Sequence, residues 1–201
     1  TEYPDERETL CIGVFGKNES FFTLKGMAET VADILNISFT YVPAQKPFLH
    51  PYQTADIVCN GVTVGYLGTV NYAIQKEESM KEAAYVLEID LKELEQYYGN
   101  TPVFEPLPKF AEDKRDLALV MDKDITCAQI EECIRNACAY VKEVVLFDVY
   151  EGKQIAEDKK SMAFTVRFTP KEEEFGADTV DGYVKKILKQ LGKAMNVELR
   201  S

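Results

Sequence analysis

The chain has 201 residues, 46% of them hydrophobic, which is enough to build one large domain or two ordinary ones. A formal charge of −11 excludes a general electrostatic binder of DNA, RNA or anionic membrane, and no apolar run reaches the roughly 18 residues of a membrane span. Five cysteines without a CxxC pair point to thiols packed in a reducing, cytoplasmic protein rather than to a disulfide framework.

The charge is unevenly spread. Residues 1–107 carry 7 basic and 16 acidic side chains, residues 108–201 carry 16 and 18, so two modules with different work are expected. The chain opens at Thr1 with neither an initiator Met nor a signal peptide, and is expected to be a piece of a longer protein.

In chain order, "LCIGVFG" (10–16) predicts a strand. "FFTLKGMAETVADILN" (21–36) predicts a helix with Leu24, Met27, Val31, Ile34 and Leu35 turned inward. "ADIVCNGVTVGYLGTV" (55–70) reads as a hairpin about Asn60-Gly61, and "AYVLEIDLKELEQYYG" (84–99) as a strand passing into a short acidic helix. Three prolines and a glycine in "YYGNTPVFEPLPKF" (97–110) predict an extended connector, with the domain boundary near Leu107. The first module is therefore α+β, with a mixed or antiparallel sheet.

Beyond the connector, "RDLALVM" (115–121) predicts a strand. "TCAQIEECIRNACAYV" (126–141) predicts a helix opened by a Thr126/Gln129 capping box. "VVLFDVY" (144–150) and "SMAFTVRF" (161–168) predict two strands, "DTVDGYVKKILKQLG" (178–192) a helix capped by Asp178, and "MNVELR" (195–200) a last strand. The order β-α-β-β-α-β is the ferredoxin-like arrangement, in which both helices cover one face of the sheet.

Alternation assigns the two faces. Leu117, Leu119, Phe147, Val149, Met162, Phe164, Val166, Phe168, Val197 and Leu199 share the inward phase. Asp116, Ala118, Asp148, Tyr150, Ser161, Ala163, Thr165 and Arg167 share the open one, with Lys159 and Lys160 at its rim. A plain solvated face is common in antiparallel sheets. The alternative is a platform for unstacked bases: Tyr150 supplies a stacking surface, Ala118 and Ala163 allow close approach, and Ser161, Asp148 and Arg167 can bond base edges. The RNA-recognition motif differs, because it presents outward the aromatic that Phe164 here turns inward. Lys185, Lys186, Lys189 and Lys193 line the last helix, on the side away from Tyr150, and read as a solvated face.

"KFAEDKRDLALVMD", "VVLFDVYEGKQIAEDKKSMAFTVRF" and "DTVDGYVKKILKQLG" together resemble the ferredoxin-fold anticodon-binding domain that ends the bacterial phenylalanyl-tRNA synthetase β subunit. "FFTLKGMAETVADIL", "FLHPYQTADIV", "GVTVGYLGTV" and "YVLEIDLKELEQ" resemble the end of that subunit's class II synthetase-like domain, and the resemblance covers essentially the whole chain. It implies a non-catalytic class II synthetase-like segment over 1–107 and an anticodon-binding domain over 108–201. It also implies an α2β2 assembly with a catalytic α subunit, tRNA(Phe) as RNA partner, and ATP and Mg2+ used by the parent enzyme but not bound by this chain. The family's anticodon contacts fall on Ala118, Tyr150 and Ser161, with Asp148, Lys160 and Arg167 as further candidates; no catalytic or metal-binding residue is implied. The chain departs from the family pattern in "KFAED", which lacks a Pro after the Phe, and in "HPYQ", which lacks a Gly after the Pro.

His50 is the one histidine; without a second His, or a Cys at ligand spacing, it reads as a turn residue before Pro51. "GVTVGYLG" lacks the strand–GxGxxG–helix setting of a phosphate loop. The rival reading of the second module is a ferredoxin-like domain that binds a small regulatory ligand. That reading needs a Gly-rich turn at the start of a helix, which the sequence does not show.

Overall fold

A computed structural model describes residues 6–99, 101–104 and 106–200. The chain divides into two compact units, residues 1–104 and 105–201. In the connector, Val103, Phe104 and Leu107 are each more than four-fifths exposed.

The first unit contains β1 (Thr9–Phe15), α1 (Phe21–Ile34), β2 (Thr40–Pro43), β3 (Leu49–Cys59), β4 (Val62–Val70), α2 (Tyr72–Glu77), β5 (Ala84–Asp90) and α3 (Leu91–Leu94). Its five strands form one sheet in the order β1-β5-β4-β3-β2, and every pairing is antiparallel. Asn60 and Gly61 both have positive φ (48° and 83°), the geometry of the two-residue turn that matches strand twist, so the expected hairpin forms where it was placed.

Two expectations for this unit are corrected. Helix α1 buries Leu24, Ala28 and Ala32, whereas Met27 is 38% and Ile34 77% exposed. The two alanines let the helix backbone approach the sheet, and Met27 and Ile34 then fall on the flank of the buried stripe rather than in it. The segment around His50 is not a bare turn but the first part of β3, whose register with β4 is irregular between Leu49 and Thr54. There Thr54 Oγ1 donates to the His50 carbonyl at 2.6 Å and the Tyr52 N–H donates to His50 Nδ1 at 3.2 Å.

The second unit contains β6 (Asp113–Asp122), α4 (Cys127–Ala137), β7 (Val141–Tyr150), β8 (Lys159–Phe168), α5 (Thr179–Met195) and β9 (Glu198–Leu199). The antiparallel sheet has the order β7-β8-β6-β9, as the ferredoxin-like arrangement requires. Leu119, Met121, Phe164, Val166 and Phe168 pack against Ile130, Ile134, Val180, Ile187 and Leu191 of the two helices.

Helix α4 opens with the expected reciprocal Thr126–Gln129 capping box, but it ends at Ala137 and Val141 already belongs to β7. Asp178 stands at the start of α5 without a side-chain capping bond, its φ and ψ of −104° and 4° lying outside the extended geometry usual for a cap. Met195 is the last helical residue, Asn196 turns the chain in the left-handed region, and only Glu198–Leu199 remain as strand.

Strand β7 carries the largest correction. Its pairing with β8 shifts between Leu146 and Asp148, so Phe147 is an extra residue with no partner across the ladder. Between a second shift at Val141–Glu143 and this bulge the inward positions are the even-numbered Val144 and Leu146, out of phase with the expected Phe147 and Val149. Phe147 is 58% exposed. Val149 opposes Met162 on the helix side, yet on this edge strand it is 51% exposed, and Leu199 on the other edge strand is 52% exposed.

Candidate nucleic-acid interface

The open face of the second unit is a set of rows across the strands. One row holds Tyr150, Ser161, Val120 and Glu198. The next holds Asp148, Ala163 and Ala118, and is continued on β9's side by Arg200, whose N–H donates to the Ala118 carbonyl at 2.8 Å. Below them lie Val145, Thr165 and Asp116, with Thr165 Oγ1 donating to Asp116 Oδ1 at 2.7 Å; then come Glu143, Arg167 and Lys114. The bulge restores the expected face for Asp148 and Tyr150, because the extra residue is used up before them.

Ala118, Tyr150 and Ser161 thus meet in two adjacent rows, with Asp148 beside them. Lys160 and Arg167 do not join them. Lys160 opposes Met121, a helix-side position, and its Nζ donates to the Lys123 carbonyl at 2.8 Å. Arg167 is on the open face but six residues along β8 from Ser161, about 20 Å at the usual strand rise. There it pairs with Glu143 at 2.8 Å and Glu112 at 3.7 Å. Its charge is neutralised in place.

Ser161 has the expected phase but not the expected accessibility, being only 3% exposed. It sits on a central strand between Tyr150 and Val120, and Tyr150 is not a bare ring. The guanidinium carbon of Arg200 lies 4.8 Å from the ring centroid, and Arg200 Nη2 donates to Gln154 Oε1 at 2.9 Å. The chain also passes so close that a Cβ on Gly152 would stand 2.5 Å from Tyr150 Oη and 2.7 Å from Cζ. A groove of about 650 Å3 runs beside this arrangement between Val120, the 154–156 loop and Glu198–Arg200.

Arg200, Gln154 and Gly152 were not singled out by sequence reasoning. Arg200 could have been: with Val197 and Leu199 assigned inward, alternation turns residue 200 to the open face. No local pattern marks Gln154. At the rim, Lys123 pairs with Glu151 at 3.2 Å and Lys159 with Asp122 at 2.6 Å, so this end of the sheet is not a strongly cationic patch. The face can stack a planar group at Tyr150, admit it closely over Ala118 and Ala163, and offer hydrogen bonds from Asp148 and Arg200, with the Ser161 hydroxyl buried beneath. Such a face suits a flat group held by shape and stacking.

Residues 108–200 match the family described as the ferredoxin-fold anticodon binding domain, and residues 1–91 match the phenylalanyl tRNA synthetase beta chain CLM domain. The phenylalanine–tRNA ligase beta subunit of Bacillus subtilis is 37% identical over 187 residues, covering 92% of this chain and 23% of the relative. That of Halalkalibacterium halodurans is 34% identical over 214 residues, covering 100% and 26%. That of Clostridium acetobutylicum is 32% identical over 202 residues, covering 99% and 25%. The chain spans about a quarter of the length of these curated relatives.

Proposed function

Because the chain belongs to the phenylalanyl-tRNA synthetase β-subunit family, corresponding to its C-terminal part, we propose that its second unit reads the anticodon of tRNA(Phe) on the open sheet face. One observation carries the residue-level reading. Tyr150, Ser161 and Ala118 come from three different strands and still lie in two neighbouring rows of one face. An anticodon base stacks on Tyr150, Ala118 and Ala163 leave room for its neighbour, and Asp148 and Ser161 bond base edges. Lys160 and Arg167 have no direct part, since neither reaches these rows. The anticodon-binding family match over 108–200 weighs against the small-ligand regulatory reading.

In the same reading residues 1–107 are a non-catalytic class II synthetase-like segment that packs in an α2β2 cytoplasmic enzyme, and residues 108–201 are the anticodon-binding domain. Phenylalanine activation with ATP and Mg2+ belongs to the α subunit. Among the described residues no three His, Cys, Asp or Glu side chains converge as a metal site, and no step using ATP or Mg2+ is assigned to this chain.

The test is a titration of the 201-residue chain with an RNA stem-loop closing on the phenylalanine anticodon GAA. Tyr150→Ala should weaken binding by about 1–3 kcal/mol, the usual loss of one stacked base. Unchanged affinity would remove Tyr150 from the site.

A further inference from the structure

Tyr150 is enclosed by two groups of different character. Gly152 is backbone, and the ring cannot move towards it. Arg200 is a long side chain whose backbone is fixed by its bond to Ala118, while its guanidinium is held by Gln154 and the ring alone among the contacts described. A planar group that stacks on the ring face over which the guanidinium lies would take the guanidinium's present place.

We propose that Arg200 is a nucleotide-binding residue, and that the base stacked on Tyr150 enters between the ring and the guanidinium, so that Arg200 closes on its far face. This deepens the anticodon reading and rests on it. A base has two π-faces, and a guanidinium is planar, weakly hydrated and stacks on either kind of ring. Arg200 therefore exchanges one aromatic partner for another as the base enters, and the bond given up is the one to Gln154. Gly152 keeps the Tyr150 ring in position while this happens.

A side chain that merely shielded Tyr150 would behave in the opposite way, competing with RNA rather than holding it. Titrating Arg200→Ala with the GAA stem-loop separates the two. The proposal expects binding about tenfold weaker, in the range of a lost guanidinium–ring contact, with melting unchanged. Arg200→Lys should remain weak, because an ammonium keeps the charge and lacks the planar face. A stem-loop with 2-aminopurine substituted in turn at each anticodon position gives a second readout: at one position its fluorescence should be quenched on binding, and less so with Arg200→Ala. Wild-type or tighter affinity for Arg200→Ala, full rescue by lysine, or quenching that ignores Arg200 would each overturn the proposal. Tyr150→Ala in the same series keeps the two claims apart. If it weakens binding while Arg200→Ala does not, the anticodon reading stands and the role of Arg200 falls; if neither matters, both fall.

Discussion

Gly152→Ala tests the site with a single methyl group. Gly152 has no positive φ, so alanine suits its backbone and the effect is steric. The added Cβ would stand 2.5 Å from Tyr150 Oη, 2.7 Å from Cζ and 3.2 Å from Cε2. These atoms are the far end of a side chain, so the ring shifts rather than the fold, and stability should change by no more than about 0.5 kcal/mol, as for a surface substitution. The ring cannot shift without disturbing the Arg200 contact at 4.8 Å, and it leaves the position in which a base would meet it. Binding of the GAA stem-loop should then weaken by up to the full stacking contribution, about 1–3 kcal/mol, or roughly 5- to 150-fold. Isothermal titration alongside thermal melting measures both quantities on the same protein. Wild-type affinity would refute the placement of Tyr150 in the site. A large drop in melting temperature would show that the 150–152 turn supports the fold instead.

Four further outcomes follow from the packing. Phe164→Ala, at a fully buried position, should cost about 3–5 kcal/mol in denaturant unfolding, whereas Phe147→Ala, on the exposed bulge, should stay within about 0.5 kcal/mol. Reversal of that order would restore simple alternation along β7. Thr126→Ala removes the α4 capping box and should cost about 1 kcal/mol by the same measurement. Tyr66 donates to Glu88 Oε2 at 2.8 Å, and burial, then that bond, pushes its phenol up to about 12. Because the folded protein holds this proton more tightly than the unfolded chain, its contribution is intact below pH 10 and is lost as the pH rises towards 12. Tyr66→Phe should therefore lose less stability than wild type over that interval, and parallel pH-melting curves would show a difference or exclude it.

Much of the fold was legible because periodicity and end signals agreed. The βαββαβ order, the Asn60-Gly61 hairpin and the Thr126 cap each followed from a pattern with one physical meaning. What escaped had conflicting or silent patterns. Strand β3 begins at Leu49, but its early part contains Pro51 and an irregular register, which read as a turn. Helix α1 shows more large apolar residues than it buries, so counting them rotated its inward face towards Met27 and Ile34. The β7 bulge carries no glycine, and one extra residue inverts the parity of the Glu143–Leu146 stretch before it, until a second shift restores it at Val141. At the site, alternation gave the face of Ala118, Tyr150 and Ser161 correctly. It could not give the cover over Ser161, because facing away from the core does not make a residue accessible. Nor could it show that Arg200, 50 residues on and on the far side of the sheet, packs over the Tyr150 ring.

The most direct test of the central claim is a map of where the RNA sits. Backbone NMR of the 201-residue chain, titrated with the GAA stem-loop and with a loop of altered anticodon, reports every amide at once. Recognition on the open face predicts saturable shifts at Ala118, Asp148, Tyr150, Ser161 and Arg200 with GAA, much weaker ones with the altered loop, and little change along α5. Shifts concentrated on Lys185, Lys186, Lys189 and Lys193, or equal responses to both loops, would contradict it.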